Sequence, residues 1–342
     1  MQITRVGFGS WAVGGDWAVG WGGQDDRDSV AAIRHAVARG VNWIDTAAIY
    51  GLGHSEEVVA AALAEIPRRE RPYVFTKCGL VSDPTDRNAT PRQIGAPASI
   101  RDEIEGSLRR LKLEHIDLYQ MHWPAKDGTP IEAYWRTLLD LKQEGKVAAV
   151  GLSNHNVEQL AAADALGHVD TLQPPFSAIK REVAAAELPW CEAHNTGVIV
   201  YSPMQAGLLS GAFSAQRAAS LPANDWRSRN AEFTGEALNR NLVVAEAMGE
   251  VAARHGATAG AVAVAWTLAW PGVTAAIVGA RNPSQVDGWI DAAALSLTEA
   301  DLQLIASAIE RSGAGCGPVR PQRPSHRLAG ENGPDLVAPS AV

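Results

Sequence analysis

The chain has 342 residues, 46% hydrophobic and 20% charged, a balance that excludes a disordered or fibrous protein and leaves room for one large core. Its formal net charge of −8 gives no general attraction for nucleic acid or acidic lipid, so small-molecule partners are expected, with any anionic ligand held by a local cluster of donors. No apolar run nears the roughly 20 residues of a membrane span, Met1-Gln2-Ile3-Thr4-Arg5 lacks a signal-peptide core, and Cys78, Cys191 and Cys316 match neither a disulfide framework nor a zinc spacing, so we expect a cytoplasmic protein without membrane contact or metal.

In chain order, short β-rich runs alternate with stretches of helical periodicity. The predicted strands are Arg5–Trp11, Val41–Ala47, Pro72–Lys77, Ile116–His122, Val147–Ser153, Val169–Gln173, Gly197–Tyr201 and Thr274–Gly279. Helices are predicted over 26–39, 55–65, 97–112, 130–144, 156–165, 183–194 and 237–255, with another after Pro283. Strict alternation without a composition break implies parallel strands joined by crossover helices. Eight strands favour closure, so the expected fold is α/β, a single (β/α)8 TIM barrel over residues 1–311. A doubly wound dinucleotide fold is the rival, but Gly7-Phe8-Gly9-Ser10-Trp11-Ala12 lacks the G-x-G-x-x-G spacing that fold needs after its first strand. Two loops exceed ordinary length, Leu80–Ala98 and the roughly 35 residues after Tyr201, and both leave the same barrel face. From 312 to 342 Gly, Pro, Ser and Arg dominate and periodicity is lost, which reads as a tail rather than a domain, and deletion of Pro318–Val342 is expected to leave folding and cofactor affinity nearly intact.

Barrel enzymes work at the rim where the strands end. Here strand two ends with Asp45 and is followed by Tyr50, strand three ends with Lys77 and strand four with His122. Ser153 and Asn154 close strand five, Gln173 strand six, and Tyr201 with Ser202 strand seven. A lone Asp, Lys or His at a strand end is most often a solvated loop-edge residue, and it is the four in register that carry a chemical reading. Reducing a carbonyl requires a proton for the developing alkoxide as hydride reaches carbon, and a tyrosine supplies it. Free tyrosine has a pKa of about 10, so the Lys77 ammonium is expected to bring Tyr50 toward working pH, with Asp45 neutralising and aiming the lysine and His122 orienting the carbonyl oxygen. Trp11 and Trp123 follow strand ends and are expected to line a substrate pocket. Cys78 reads as a packing residue, and His54, His155 and His194 as surface or helix-end residues.

The runs Ile44-Asp45-Thr46-Ala47-Ala48-Ile49-Tyr50-Gly51, His54-Ser55-Glu56-Glu57, Thr76-Lys77, Gln120-Met121-His122-Trp123-Pro124, Gly145-Lys146-Val147 and Gly151-Leu152-Ser153-Asn154 together resemble the aldo-keto reductase superfamily, from about Arg5 to Asp301. Tyr201-Ser202-Pro203 followed by Gly207-Leu208-Leu209-Ser210-Gly211 is similar to the bacterial branch that includes inositol-utilisation and sugar-type enzymes. The resemblance implies Asp45, Tyr50, Lys77 and His122 as a catalytic tetrad and NADPH/NADP+ as cofactor, with NADH the second candidate. It assigns Ser153, Asn154 and Gln173 to the nicotinamide carboxamide and Tyr201 to stacking on the ring. Ser202, Gly207, Leu209 and neighbouring backbone amides fall to the pyrophosphate, and Gly279, Arg281 and Gln285 to the adenosine end, where a helix starting near Pro283 adds its dipole. Gly288-Trp289 stands where the family usually has Glu-Asn, removing a polar contact to adenine. The N-terminal hairpin that plugs the family's barrel is incomplete, so that end is expected to be less stable. The implied function is interconversion of an aldehyde or ketone with its alcohol, on a sugar or polyol among other substrates. Potassium-channel beta subunits resemble the same superfamily, which makes a cofactor-sensing regulatory module the second expectation.

Overall fold

The first strand, Val6-Gly7-Phe8-Gly9, pairs in parallel on both sides, and following the pairing around returns to it. The strands of this computed structural model, which describes residues 1–83, 85–222 and 225–321, are β1 (Val6–Gly9), β2 (Trp43–Asp45), β3 (Tyr73–Cys78), β4 (Leu80–Val81), β5 (Arg92–Gln93), β6 (Ile116–Met121), β7 (Val147–Ser153), β8 (Thr171–Gln173), β9 (Gly197–Val200) and β10 (Ala275–Gly279). Eight of them close a barrel in the order β1-β10-β9-β8-β7-β6-β3-β2, while β4 and β5 form a separate antiparallel hairpin inside the long loop after β3. The open doubly wound sheet is thereby excluded, and the eight-stranded parallel closure is that of a TIM barrel.

The helices are α1 (Asp26–Ala38), α2 (His54–Ala64), α3 (Pro97–Leu111), α4 (Ile131–Gln143), α5 (Val157–Asp164), α6 (Glu187–Ala193), α7 (Ala215–Ala219), α8 (Gly235–His255), α9 (Ala259–Leu268), α10 (Pro283–Asp287) and α11 (Glu299–Ser312). Helical periodicity anticipates the outer helices that bury one stripe, but α9 is buried on every side and offers no such stripe to read. The helix expected after Pro283 is only the five-residue α10, whose first turn is capped by the Asn282 side chain bonding the Gln285 amide. Its dipole is correspondingly small, and the long closing helix is α11. No single helix among the described residues is long and apolar enough to cross a membrane.

The barrel interior is filled from below by Trp43, stacked on Phe75 with ring centroids 5.1 Å apart and packed with Leu118, Ile199 and Ile277. Gly7 makes room for that indole, since a Cβ there would lie 2.1 Å from the Trp43 ring. The same tryptophan donates to the Thr4 carbonyl at 2.8 Å, and the Thr4 amide donates to Asn42 Oδ1 at 2.8 Å, which ties the chain's first residues to the barrel floor.

Residues 313–321, grouped with the tail by composition, are packed against the barrel. Arg181, buried and without a carboxylate partner among the described residues, donates to the carbonyls of Ala178, Ala314 and Pro318, and its own amide donates to Cys316 O. The carbonyls of Ala314, Cys316 and Pro318 lie just past the C-terminus of α11, where a cation is also favoured by the helix dipole. Residues 322–342 lie outside the described residues. Deleting 322–342 should leave the melting temperature within experimental scatter, whereas deleting from Gly313 strips a buried guanidinium of its acceptors at about 1–3 kcal/mol per lost partner. Thermal unfolding of the two truncations measures the difference, and equal stabilities would remove Arg181 as a clasp.

Candidate active site

The rim is assembled by register. Asp45, the last residue of β2, lies opposite Gly9 and Phe75, while Lys77 in β3 lies opposite Gln120, two residues before His122. Ser153 and Gln173 face one another across β7 and β8. Tyr50 comes from the loop after β2, in a tight turn with Gly51 at φ 60° and Leu52 at φ 59°. That turn presses on the loop after β1 so closely that a Cβ on Gly51 would sit 1.9 Å from the Gly14 carbonyl oxygen. Beneath it, Ser55 Oγ lies 2.7 Å from Ser10 Oγ and 3.1 Å from Thr46 Oγ1, all buried. Glu56 takes the Thr76 hydroxyl and Arg110 Nε, each at 2.7 Å. The Ser55-Glu56 pair therefore fixes the loop carrying Tyr50 to β3 carrying Lys77.

Lys77 Nζ is 2.6 Å from Asp45 Oδ1, 2.8 Å from the Thr46 carbonyl and 3.4 Å from the Tyr50 hydroxyl. Gln173 Nε2 donates to the other Asp45 oxygen at 2.8 Å. The Tyr50 and His122 rings meet edge to face at 5.6 Å. Burial pushes Lys77 down and Asp45 up, and their direct contact opposes both shifts. His122 is driven well below its ordinary range by burial and by Lys77, so it presents a neutral imidazole. Tyr50 behaves differently from the sequence expectation. Burial first, and the Asp45 carboxylate second, raise it well above its ordinary value. The ammonium sits closer to Asp45 (2.6 Å) than to the phenol (3.4 Å), and the carboxylate beside it favours the protonated hydroxyl of Tyr50.

Ser153, Asn154, Gln173 and Tyr201 form one platform. Ser153 Oγ donates to the Gln173 carbonyl at 2.8 Å, Asn154 Nδ2 donates to the His122 carbonyl at 2.9 Å, and Tyr201 donates to Asn154 Oδ1 at 2.8 Å. Asn154 holds φ 64°, a conformation that asparagine tolerates better than most residues. His155, expected at a surface or a helix end, directly precedes the Asn156 cap of α5 but is buried there, between the Tyr134 hydroxyl and the Ser153 carbonyl, 2.8 Å from each, and burial pushes it down to about 4. His54 and His194 do lie at partly exposed sites, beside Asp26 and on the Trp190 carbonyl.

After Tyr201 the backbone turns left-handed at Ser202, Gln205, Ala206 and Gly207. The Gly207 and Leu209 amides both donate to the Met204 carbonyl at 3.1 Å, and the Leu209 side chain is in the core, so neither residue presents its amide outward. The Met204 and Ala206 amides meet no acceptor among the described residues, which fits an anion-binding nest. At the far end Gly279 is exposed, and Gln285 Oε1 accepts the Arg281 amide at 2.8 Å. The Arg281 guanidinium reaches Gly23 O at 2.7 Å and Gln24 Oε1 at 2.5 Å, a contact between the segments after β10 and β1 that sequence spacing does not reveal. Trp289 is core, where the family's polar pair would face a ligand.

Trp11 packs with Trp21 and Trp226 at 5.3 and 5.9 Å, and it also touches the apolar cluster of Trp17, Ala47 and Ile49 that borders Tyr50. Trp123 is 38% exposed on the rim. Arg227, paired with Asp225, lies 4.9 Å over Trp21 and donates to the Ala206 carbonyl, so the loops after β1 and β9 meet over the mouth. The sequence reading missed Trp17, Trp21 and Trp226, although the spacing Trp11, Trp17, Trp21 within one loop was visible.

The Aldo/keto reductase family model matches residues 5–310. The chain is 32% identical over 313 residues to "Aldo-keto reductase YhdN" of Bacillus subtilis (strain 168), covering 91% of this chain and 92% of that one. It is 33% identical over 325 residues to the "NADH-specific methylglyoxal reductase" of Escherichia coli (strain K12), covering 91% and 97%. Among solved structures, the glycerol dehydrogenase AKR11B4 from Gluconobacter oxydans superposes with a TM-score of 0.83 at 38% identity, covering 95% of both chains. The closed barrel, the polar rim and the match across nearly the whole described chain together place this protein in the aldo/keto reductase family, as an oxidoreductase that interconverts carbonyl and alcohol with a nicotinamide cofactor.

Proposed function

We propose that the protein is an NADPH-linked reductase of small aldehydes or ketones, and in reverse a dehydrogenase of sugar- or polyol-type alcohols, with Tyr50 as general acid and base. The observation that carries this reading is the convergence of Tyr50, Lys77, Asp45 and neutral His122 at one rim beside a polar platform suited to a carboxamide. Ser153, Asn154 and Gln173 would hold the nicotinamide carboxamide and Tyr201 its ring. Ser202 with the Met204 and Ala206 amides would hold the pyrophosphate, and Gly279, Arg281 and Gln285 the adenosine end. The bound cofactor supplies hydride. His122, with no positive charge of its own, donates an N–H to the carbonyl oxygen, and Tyr50 delivers the proton. Trp11 and Trp123 would offer aromatic faces to substrate C–H groups, which agrees with the named glycerol activity of the Gluconobacter neighbour.

The carbonyl test is direct. Purified protein is screened with aldehydes, ketones, sugars and polyols in both directions by absorbance of the reduced cofactor. Cofactor binding without turnover of any of them supports a regulatory binding module instead.

NADPH over NADH rests on Arg281, because a guanidinium holds a 2′-phosphate through charge-assisted bonds while NADH offers only a hydroxyl. The named NADH specificity of the Escherichia coli relative makes this the point to measure. Arg281→Ala should weaken NADPH by about 1.5–3 kcal/mol and NADH far less. Equal losses by fluorescence titration would assign Arg281 to holding Gly23 and Gln24 only.

A further inference from the structure

Glu103 lies on α3, outside the rim, and takes no part in the proton transfer above. Its Oε2 accepts the Gly79 amide at 2.9 Å, and its Oε1 accepts the Ser99 hydroxyl at 3.1 Å. Gly79 is two residues beyond Lys77. It sits at φ 85°, its carbonyl accepts the Ile94 amide at 3.0 Å where the β4–β5 hairpin closes, and a Cβ there would lie 2.6 Å from Met121 Sδ. One residue thus joins the strand that carries Lys77 to the hairpin, with Glu103 on its amide and Ile94 on its carbonyl. The next residue, Leu80, packs into the apolar cluster that borders Tyr50.

We propose that Glu103 is a positioning residue for the substrate pocket: its carboxylate clamps the Gly79 peptide and so sets the wall that Leu80 forms beside Tyr50. This rests on the carbonyl-reductase reading of the rim. An ionised carboxylate holds an amide N–H more strongly than the neutral acid does, so the clamp tightens as Glu103 loses its proton. Burial, with the Glu56 carboxylate of α2 adding to it, pushes Glu103 up to about 7, against the bonds from Gly79 and Ser99 and the Arg110 charge on α3. The other titratable groups that face it are the Cys78 thiol of β3 and the Tyr119 hydroxyl of β6, both kept neutral by burial. Tyr50 keeps its proton and His122 stays uncharged through neutral pH. The inflection is therefore expected in substrate affinity rather than in the chemical step.

The test uses the full chain with saturating cofactor and glyceraldehyde as the probe, between about pH 6 and about pH 8, either side of the Glu103 value. In the wild type KM should fall roughly threefold to tenfold as pH rises, the net worth of one strengthened hydrogen bond, with kcat level. Glu103→Gln should abolish the inflection and keep the high KM of the acid side. Ser99→Ala, which removes a donor to the carboxylate, should move the inflection to higher pH. Hydrogen exchange of the peptide spanning 78–94, corrected for intrinsic rate, gives a readout that needs no turnover: its protection should rise with pH in the wild type and not in Glu103→Gln. A wild-type KM that is level with pH, an inflection that survives Glu103→Gln, or pH-independent protection of that peptide overturns the proposal. Failure to reduce any carbonyl while the protection change persists overturns the reductase reading and leaves the clamp standing.

Discussion

Tyr50→Phe should lower carbonyl reduction by about 10⁴-fold, the upper end of what a general acid contributes, while cofactor binding measured by fluorescence quenching stays near wild type. The large effect follows from the neighbours of the hydroxyl. Lys77 is committed to Asp45 and to the Thr46 carbonyl, and His122 is held neutral, so no charged acid stands ready to replace the phenol. The pH profile supplies an independent check. Because burial raises Tyr50 well above its ordinary value, the donor form persists across neutral pH and its proton transfer should be level there. Alcohol oxidation needs the phenolate, which appears only as pH climbs toward that raised value, so its rate should increase steadily on the alkaline side. Near-normal reduction by a cofactor-saturated Tyr50→Phe enzyme would remove Tyr50 as the donor.

Lys77→Met should damage activity to a similar extent and stability as well. It deletes the ammonium in contact with Asp45 and, among the described residues, leaves a buried carboxylate with Gln173 as its one side-chain partner. Removing one partner of a buried pair typically costs about 3–5 kcal/mol, which should appear as a large drop in melting temperature at neutral pH. The sign of its pH dependence is fixed by burial, which raises Asp45. A raised folded-state value means that the folded protein takes up a proton more readily than the unfolded one, so the deficit should be largest at neutral pH and shrink toward acid. Asp45→Asn added to Lys77→Met should recover much of the melting temperature without recovering turnover. A double variant as unstable as the single one would show that the cost lies in the lost lysine packing rather than in the unpaired charge.

By itself the sequence determined the alternation of eight strands with helices and the polar residues that end those strands. Both are local properties. Periodicity records which face of an element is buried, and a parallel barrel brings every strand's C-terminal end to one rim, so Asp45, Lys77, His122, Ser153 and Gln173 follow from chain position alone. Tertiary structure decided what depends on residues distant in the chain. Arg281 meets Gln24 from the far end of the chain, Trp226 joins Trp11 and Trp21, and Arg181 gathers the carbonyls of residues 314 and 318. The burial of α9 on all sides erased the stripe by which a helix is recognised. Ionisation was likewise beyond the sequence. Residue type places a lysine near a tyrosine, but only the structure shows that the ammonium lies 2.6 Å from Asp45, against 3.4 Å from the phenol, and that desolvation governs Tyr50.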